Sequence, residues 1–578
     1  MKTRAKRSRV RINIGILAAI VFSSLFFMAI QINRDSAPAE ESFAYGCTVV
    51  MVAKDASVDG STMTTHTADC GICDWTWRHI PAADFPAGSM RKIYHVSQIR
   101  TWPPSEGLKW DLYLKDFTGL EIPQVPHTHA FHHGVFGYMN EHQLAIGEST
   151  IGNVRKISNP TPAAKMDITM LTILAMERCK TAREAIQLMG GLGEKYGYGF
   201  LDGGEMLAVA DSKEVWVFEI MPVGPLWTPQ SGRPGAVWCA RRVPDGDVSV
   251  CPNESRIGEI DLKNPDYFMA SSNVISFAVE QSLYDPKSGK PFSWKRAYSP
   301  SEGSARSTGG RRARMWRFFD LVAPSQKFSP DTANIDFPFS VKPDKKLSLQ
   351  DVIAITRDKC EGTEFDPIKG LRGGPLGNPY YYSTTRTIGT NRAEYTTVTQ
   401  SRSWLPGPIG GIVWLALGSQ DTSCYVPLYA GITDIPDSFK IGDHWVFNRD
   451  SARWAFDYAD FHAQVAYSSA IEDVKEAQEK WEAGAMARVP EIDKKAQDFY
   501  AQDDAEAREF LTGYCLDNAR SVVNAWWELG DRLFVKYNHF GTYNPEKRAR
   551  ERSKAFSAPD WWKKAIKVYD ILLEPLQR

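Results

Sequence analysis

The chain has 578 residues, a formal net charge of -1 and a pI of about 6.8, with 43% hydrophobic and 12% aromatic residues. So balanced a charge gives no electrostatic footprint for nucleic acid, which is not expected as a partner. The 18 tryptophans exclude a disordered chain, and the length allows a large core and more than one domain.

Lys2, Arg4, Lys6, Arg7, Arg9 and Arg11 precede an uncharged, mostly apolar run over residues 12–30. A basic region followed by an apolar one is the pattern of a secretory signal peptide or signal anchor. The run is at the short end of the roughly 17–25 residues that span a bilayer, and its positive flank keeps the N-terminus cytoplasmic. The expectation is an exported protein (periplasmic, cell-surface or secreted) that touches a membrane only through this segment while it is uncut. Residues 31–46 form a polar spacer. Ala44 and Gly46 stand at -3 and -1 of Cys47, which suits a small-residue cleavage site. Signal peptidase and self-cleavage both remain open. Lipidation of Cys47 is disfavoured by the Ala-Tyr-Gly before it.

From Cys47 onward, residues 47–53 read as a buried strand, 54–60 as a turn and 61–66 as a returning strand. Residues 136–149 hold a turn at Asn140-Glu141 and another strand. Residues 166–176 read as a helix. Thr181-x-x-Glu184 caps the next helix, which is expected to stop at Gly190-Gly191. A hairpin is predicted from residues 207–210 and 214–221, and a strand at 235–240. Hairpins, then helices, then hairpins indicate an α+β fold. Gly- and Pro-rich loops mark 221–235, 370–379 and 400–411. From about residue 468 the pattern becomes helical, with Leu511, Tyr514, Cys515, Val522, Trp526, Leu529 and Leu533 at helical spacing as core contacts. The division expected is 1–46 (signal and propeptide), 47–469 (catalytic domain) and 470–578 (helical extension).

The zinc-peptidase, serine-hydrolase and phosphate-loop signatures H-E-x-x-H, G-x-S-x-G and G-x-x-x-x-G-K-[ST] are missing. Attention therefore falls on Cys47. Exposed as the first residue of a mature chain, it joins a thiol to an α-amine of pKa about 8, a nucleophile with its own base. Asp69, at the end of the second strand, returns to the same end of the sheet and is placed to orient that amine. Of the 9 cysteines, setting Cys47 aside leaves an even number able to pair in an oxidising compartment. Cys70-x-x-Cys73 lacks a second such pair, so a disulfide or packed thiols is preferred to zinc. Strand alternation would set His127, His129 and His133 on one face and His132 on the other. These are read as substrate-loop or surface histidines, and no metal or other cofactor is expected.

The segments C47-T, D59-G-S-T, A-D69, I122-P-Q-V-P-H127, Y138-M-N-E-H-Q-L-A-I-G-E-S-T150 and A210-D-S-K-E-V-W-V-F-E219 recur in order with A236-V-W-C-A-R-R, N253-E-S-R-I257, A313-R-M-W316, G373-G-P-L-G-N-P379 and Q400-S-R-S-W-L-P406. From Cys47 to about residue 465 the chain resembles bacterial cysteine dipeptidases of the dipeptidase A type, relatives of secernins among the N-terminal-nucleophile hydrolases. The resemblance implies a four-layer αββα sandwich, cleavage of dipeptides or short peptides through a thioester, and no metal. It implies Cys47 as nucleophile, Asp69 as the contact of its amine, and Asn253 as an oxyanion-hole asparagine. The second oxyanion donor would come from the Gly147-Glu148-Ser149 backbone. His66 stands where acylase relatives have arginine and is read as a substrate contact. Arg311 or Arg314 matches a second active-site arginine, with Arg314 carried as the candidate. A dipeptidase also needs an acidic group for the substrate ammonium and an arginine for its carboxylate. Glu148 and Arg256 are the candidates.

Two rivals stand beside this reading: hydrolysis of N-acyl amino acids or conjugated bile acids on the same fold, and a membrane-anchored binding protein that is not an enzyme. A homo-oligomer is compatible with either.

Overall fold

The computed structural model describes residues 46–71, 73–96, 116–134, 136–158, 161–199, 203–544, 547–551 and 556–573. The signal-like run and spacer at 1–45 lie outside them. The described strands that matter here are β1 (Val49–Val52), β2 (Thr62–Thr67), β3 (Arg78–Ile80), β4 (Phe131–His133), β5 (Tyr138–Asn140), β6 (Ala145–Ile151), β7 (Gly204–Ala210), β8 (Val215–Pro222), β9 (Ala236–Arg242), β10 (Val248–Cys251), β11 (Phe268–Ala270), β12 (Tyr395–Ser401), β13 (Gly411–Leu417) and β14 (Val426–Tyr429). They form two antiparallel sheets, a 6-stranded one in the order β10-β1-β2-β12-β13-β14 and an 8-stranded one in the order β11-β9-β8-β7-β6-β5-β4-β3. The α+β class expected from the sequence is the one observed.

The period-2 alternation of side chains explains how the sheets stack. In β1, Val49 and Met51 point to Met206, Ala208, Val215 and Val217 of the larger sheet. Val50 and Val52 point the other way, into a cluster with the helices α3 (Ala313–Val322) and α4 (Leu349–Arg357). Both faces of β1 are buried, which is why V-V-M-V carries no polar residue. The far face of the larger sheet, including Leu207, Val209, Trp216 and Phe218, packs on α1 (Ile168–Arg178) and α2 (Ala182–Tyr196). The helices α5 (Ala452–Gln464), α6 (Tyr467–Gln478), α7 (Gly484–Tyr500) and α8 (Asp504–Tyr537) share the core of the smaller sheet. Leu511, Cys515, Val522, Trp526, Leu529 and Leu533 of α8 are buried there, and Tyr514 is partly buried against it. No described helix is long and apolar enough to cross a membrane.

Thr181 and Glu184 form the expected capping box. The helix they start does not stop at Gly190-Gly191 but runs on to Tyr196 and ends at Gly197 with φ 77°. The two glycines are not equivalent. A Cβ at Gly190 would lie 2.3 Å from the Trp238 indole on β9, whereas one at Gly191 meets nothing within 4 Å. Gly190 lets the helix approach the sheet, and a packing glycine is indistinguishable from a stop signal in sequence.

The pair therefore separates packing from propensity. Gly191→Ala should stabilise the protein by up to about 1 kcal/mol, while Gly190→Ala should destabilise it by about 1–3 kcal/mol through overpacking. Denaturant unfolding of both variants checks this. Equal effects of the same sign would contradict it.

Candidate active site

Gly46 and Cys47 lie immediately before β1, and their backbone is held from several sides. The Gly46 N–H donates to the Asp69 carbonyl at 3.2 Å. The N–H groups of Thr48 and Val50 donate to Oγ1 of Thr67 and Thr65, each at 2.8 Å. Threonine hydroxyls of β2 thus take bonds that carbonyls would take in a regular ladder, and paired register between the strands is kept only at Met51 and Val52. The Cys47 end of β1 stands off from β2 for this reason.

Two arginines take the carbonyls. Arg386 Nη2 donates to Gly46 O at 2.9 Å and to Asp69 Oδ2 at 2.7 Å, and Thr67 Oγ1 donates to the same Oδ2 at 3.1 Å. Arg314, on α3, donates through Nη1 to Cys47 O at 2.7 Å and Thr48 Oγ1 at 2.8 Å, and through Nη2 to Asn253 Oδ1 at 2.8 Å. Burial and the neighbouring Arg386 lower the Arg314 pKa, while Asp69 and Glu254 raise it. Asn253 has φ 66°, a left-handed value that asparagine tolerates better than most residues. Its N–H donates to Ser149 Oγ at 3.0 Å and its Nδ2 to Thr150 O at 2.9 Å, and Ser149 Oγ donates to Cys47 O at 3.4 Å. Glu219 fixes the loop behind Asn253 by accepting from the N–H groups of Arg256 at 2.6 Å and Ile257 at 3.2 Å and from Trp294 Nε1 at 2.6 Å. A Cβ on residue 46 would stand 2.7 Å from Asn253 Oδ1, so packing reserves this position for glycine.

The reactive side of Cys47 faces carboxylates. Donor atoms of Cys47, His66 and Glu148 lie within 4.8 Å of one another. Burial, then the Glu148 and Asp69 carboxylates and a hydrogen bond to Glu148, push the thiol pKa well up, against the opposing pull of the Asp69 N–H. The sulfur is therefore a protonated thiol with a proton acceptor beside it. His66 Nδ1 lies 2.9 Å from the Glu148 carbonyl oxygen. The Glu148 N–H lies 3.3 Å from the same Nδ1, so Nδ1 donates to the carbonyl in one tautomer and accepts from the N–H in the other, and Nε2 is enclosed with no partner among the described residues. Burial lowers the His66 pKa, so the ring is neutral.

Of the residues singled out in the sequence, Cys47, His66, Asp69, Glu148, Ser149, Asn253 and Arg314 surround the Gly46–Cys47 peptide. Arg256 does not. Its guanidinium is fully buried over the Phe319 ring and donates to the carbonyls of Pro338 and Phe339. Arg311 lies on the approach to α3, where its Nε donates to Thr308 O. Arg386 and Thr67 also belong to this site, as does Glu205, whose carboxyl is in contact with Glu148. Arg386 sits in a featureless polar stretch and has no local signal. Glu205 has one: a charged residue on the buried, helix-facing side of a strand, in step with Leu207 and Val209.

Two groups have metal-ligand chemistry. The first is Cys47, His66 and Glu148, the same atoms that surround the thiol. The second is His127, His129 and Glu141, where Glu141 already accepts from the Ala130 N–H and Arg508, and His127 pairs with Asp84 at 2.7 Å. His132 and His133 are not surface groups. Both are buried, His132 against Trp77 Nε1 at 3.0 Å and His133 stacked on Tyr138 at 4.7 Å. The even cysteine count is no pairing scheme either. Cys70 and Cys73 form a disulfide, while Cys179, Cys239, Cys251, Cys360, Cys424 and Cys515 are single buried thiols.

The profile of Peptidase family C69 matches residues 46–480, beginning one residue before Cys47. The chain belongs to peptidase family C69. This C69 peptidase is 24% identical over 408 residues to a probable dipeptidase of Latilactobacillus sakei, covering 68% of this chain and 76% of that protein. It is 24% identical over 507 residues to a probable dipeptidase B of Lactococcus lactis subsp. lactis (strain IL1403), covering 85% and 95%. To a dipeptidase of Bifidobacterium longum (strain NCC 2705) it is 26% identical over 421 residues, covering 68% and 72%. The dipeptidase resemblance carried by the motifs is thus upheld.

The charge around the thiol has a measurable sign. Glu148 raises the Cys47 pKa by its charge and by its hydrogen bond. In protein that retains Gly46, Glu148→Gln should speed alkylation of Cys47 by iodoacetamide at pH 8 at least about threefold, because more of the thiol is ionised. Peptide mass mapping reads the site, and slower alkylation would contradict this electrostatic account.

Proposed function

We propose that this C69 peptidase is an exported dipeptidase in which Cys47, freed from Gly46, is an N-terminal nucleophile on a four-layer αββα framework. The observation that carries the reading is the state of the Gly46–Cys47 peptide. Both carbonyls are held by guanidinium groups, and the thiol rests against a carboxylate. The sheets stacked face to face with helices outside them support the framework, and the curated relatives named dipeptidases support the substrate class. Export rests on the sequence pattern of residues 1–30.

Release of Cys47 follows from the same contacts. Glu148 takes the thiol proton, and Sγ attacks the Gly46 carbonyl carbon. Arg386, 2.9 Å from Gly46 O, stabilises the oxyanion as it forms. Collapse breaks the Gly46–Cys47 C–N bond, the nitrogen leaves with a proton as the α-amine, and water hydrolyses the resulting thioester. In the mature enzyme the α-amine replaces Glu148 as base. It takes the thiol proton as Sγ attacks the substrate carbonyl, then passes it to the departing amine. Water activated by the same amine releases the acid. The enclosed Asp69 Oδ1, unpartnered among the described residues, is the acceptor available to orient the new ammonium. Asn253 is committed to Arg314 and Thr150 while Gly46 is attached, so its service as an oxyanion donor requires that commitment to loosen after cleavage.

Cys47→Ala should remain folded and uncut and lose at least about a thousandfold in dipeptide hydrolysis. Gly46→Ala, which drives a Cβ against Asn253, should slow release of Cys47 while leaving any mature enzyme fully active. The assay is a panel of dipeptides beside N-acyl amino acids and conjugated bile acids, with processing followed by mass. Turnover by purified Cys47→Ala would overturn the nucleophile, and turnover confined to N-acyl substrates would overturn the dipeptidase.

A further inference from the structure

Glu148 stands beside Cys47 and Glu205 stands against Glu148, and the sheet register brings the two carboxyl groups together. Glu205 on β7 pairs directly with Thr150 on β6. Glu148 precedes Thr150 by two residues, so all three side chains leave the same face. Thr150 Oγ1 donates to Glu148 Oε1 at 2.8 Å. The two carboxyl groups are 1% and 9% exposed and touch one another. Among the described residues, no lysine, arginine or histidine forms an ion pair with either.

Paired buried carboxylates without a cation are costly unless they share a proton or receive a positive ligand. Here the proton is the answer, for burial and Glu148 hold the Glu205 pKa well up. Other polar atoms nearby are also without partners among the described residues: Glu205 Oε2, His66 Nε2 and Tyr138 Oη. Both Tyr138 and Tyr198 lie within electrostatic reach of Glu148. Buried polar atoms left bare in this way mark a place where a ligand supplies the missing bonds.

We propose that Glu148 and Glu205 form the receptor for the α-ammonium of the substrate, with Glu205 as its unrecognised half. The inference rests on the Cys47 reading above and adds a rule for which bond is cut. An ammonium brings one positive charge and three donors, and it displaces the proton held by the pair. Glu148 also touches the thiol. A peptide's α-nitrogen lies about 2.5 Å from the carbonyl carbon of its own residue. With the ammonium on Glu148, the carbonyl brought to Cys47 is therefore that of the first residue. The substrates are peptides with a free N-terminus, and the first peptide bond is the one cleaved.

The test compares a dipeptide with its N-acetyl form, in the wild-type enzyme, Glu205→Gln and Glu205→Asp. Acylation of Cys47 by p-nitrophenyl acetate, an ester without an amine, reports the thiol separately. The wild type should prefer the free dipeptide by at least about 100-fold, and Glu205→Gln should lose about 10- to 100-fold of that preference through KM. Its acylation burst and its rate on the acetylated dipeptide should change by much less than its rate on the free dipeptide, Glu205→Asp should recover part of the loss, and a tripeptide should yield its first residue. An equal fall on both substrates in Glu205→Gln would overturn the proposal. So would equal hydrolysis of both by the wild type, which decides the matter even if the variants fail to fold. Absence of the burst in the wild type would instead overturn the Cys47 reading beneath it.

Discussion

The peptide between Gly46 and Cys47 is held by two guanidinium groups, Arg386 on one carbonyl and Arg314 on the next, and the rest of the site is arranged around that grip. Arg386 is held in turn by Asp69, whose side chain is fully buried while that of Arg386 is 20% exposed. Breaking such a pair by removing one partner costs about 3–5 kcal/mol, because a buried charge is left alone. Exposed pairs such as Lys475 with Glu472 on the helical extension contribute about 0–1 kcal/mol. The Asp69–Arg386 pair joins the end of β2 to the Gly46 carbonyl, so its loss would disturb both.

The same grip links the smaller sheet to the larger one. Arg314 comes from α3 and reaches Asn253, which reaches Ser149 and Thr150 on β6, and the next charged group along that strand is Glu148, with Glu205 of β7 against it. The chain of contacts runs from a helix outside one sheet to a carboxylate pair in the other, with Cys47 between. The positive groups sit on the backbone of Gly46 and Cys47 and the negative groups on the thiol side of Cys47. This separation suits a site that must stabilise an oxyanion on one side and accept protons or an ammonium on the other.

What could be read from the sequence was what depends on short range. The apolar run of β1, the hairpin of β7 and β8, the Thr181–Glu184 capping box and the helical period of α8 all appear as spacings of a few residues. Cys47 was legible because small residues at -3 and -1 and a basic, apolar N-terminus make it a candidate first residue. Asp69 was legible because a two-strand return brings it back to Cys47. Arg386 was not, because it meets Asp69 across 317 positions and nothing in S-T-T-R-T marks it. The Gly190 reading failed because one glycine symbol covers both a helix stop and a close approach to Trp238. In the sequence Arg256 offers only its charge, which fits a substrate carboxylate. Its neighbour Glu219 and the carbonyls of Pro338 and Phe339 show that a buried arginine can be a structural tie. Glu205 shows the converse, a charge at a buried strand position that the sequence reading passed over and that only the pairing register connects to Glu148.

The most direct test is the intact mass and N-terminal sequence of the active enzyme recovered from the exported fraction. The account predicts that every hydrolytically active molecule begins at Cys47. Full dipeptidase activity in molecules that retain Gly46 would contradict it, because the α-amine that serves as base would then be tied up in a peptide bond.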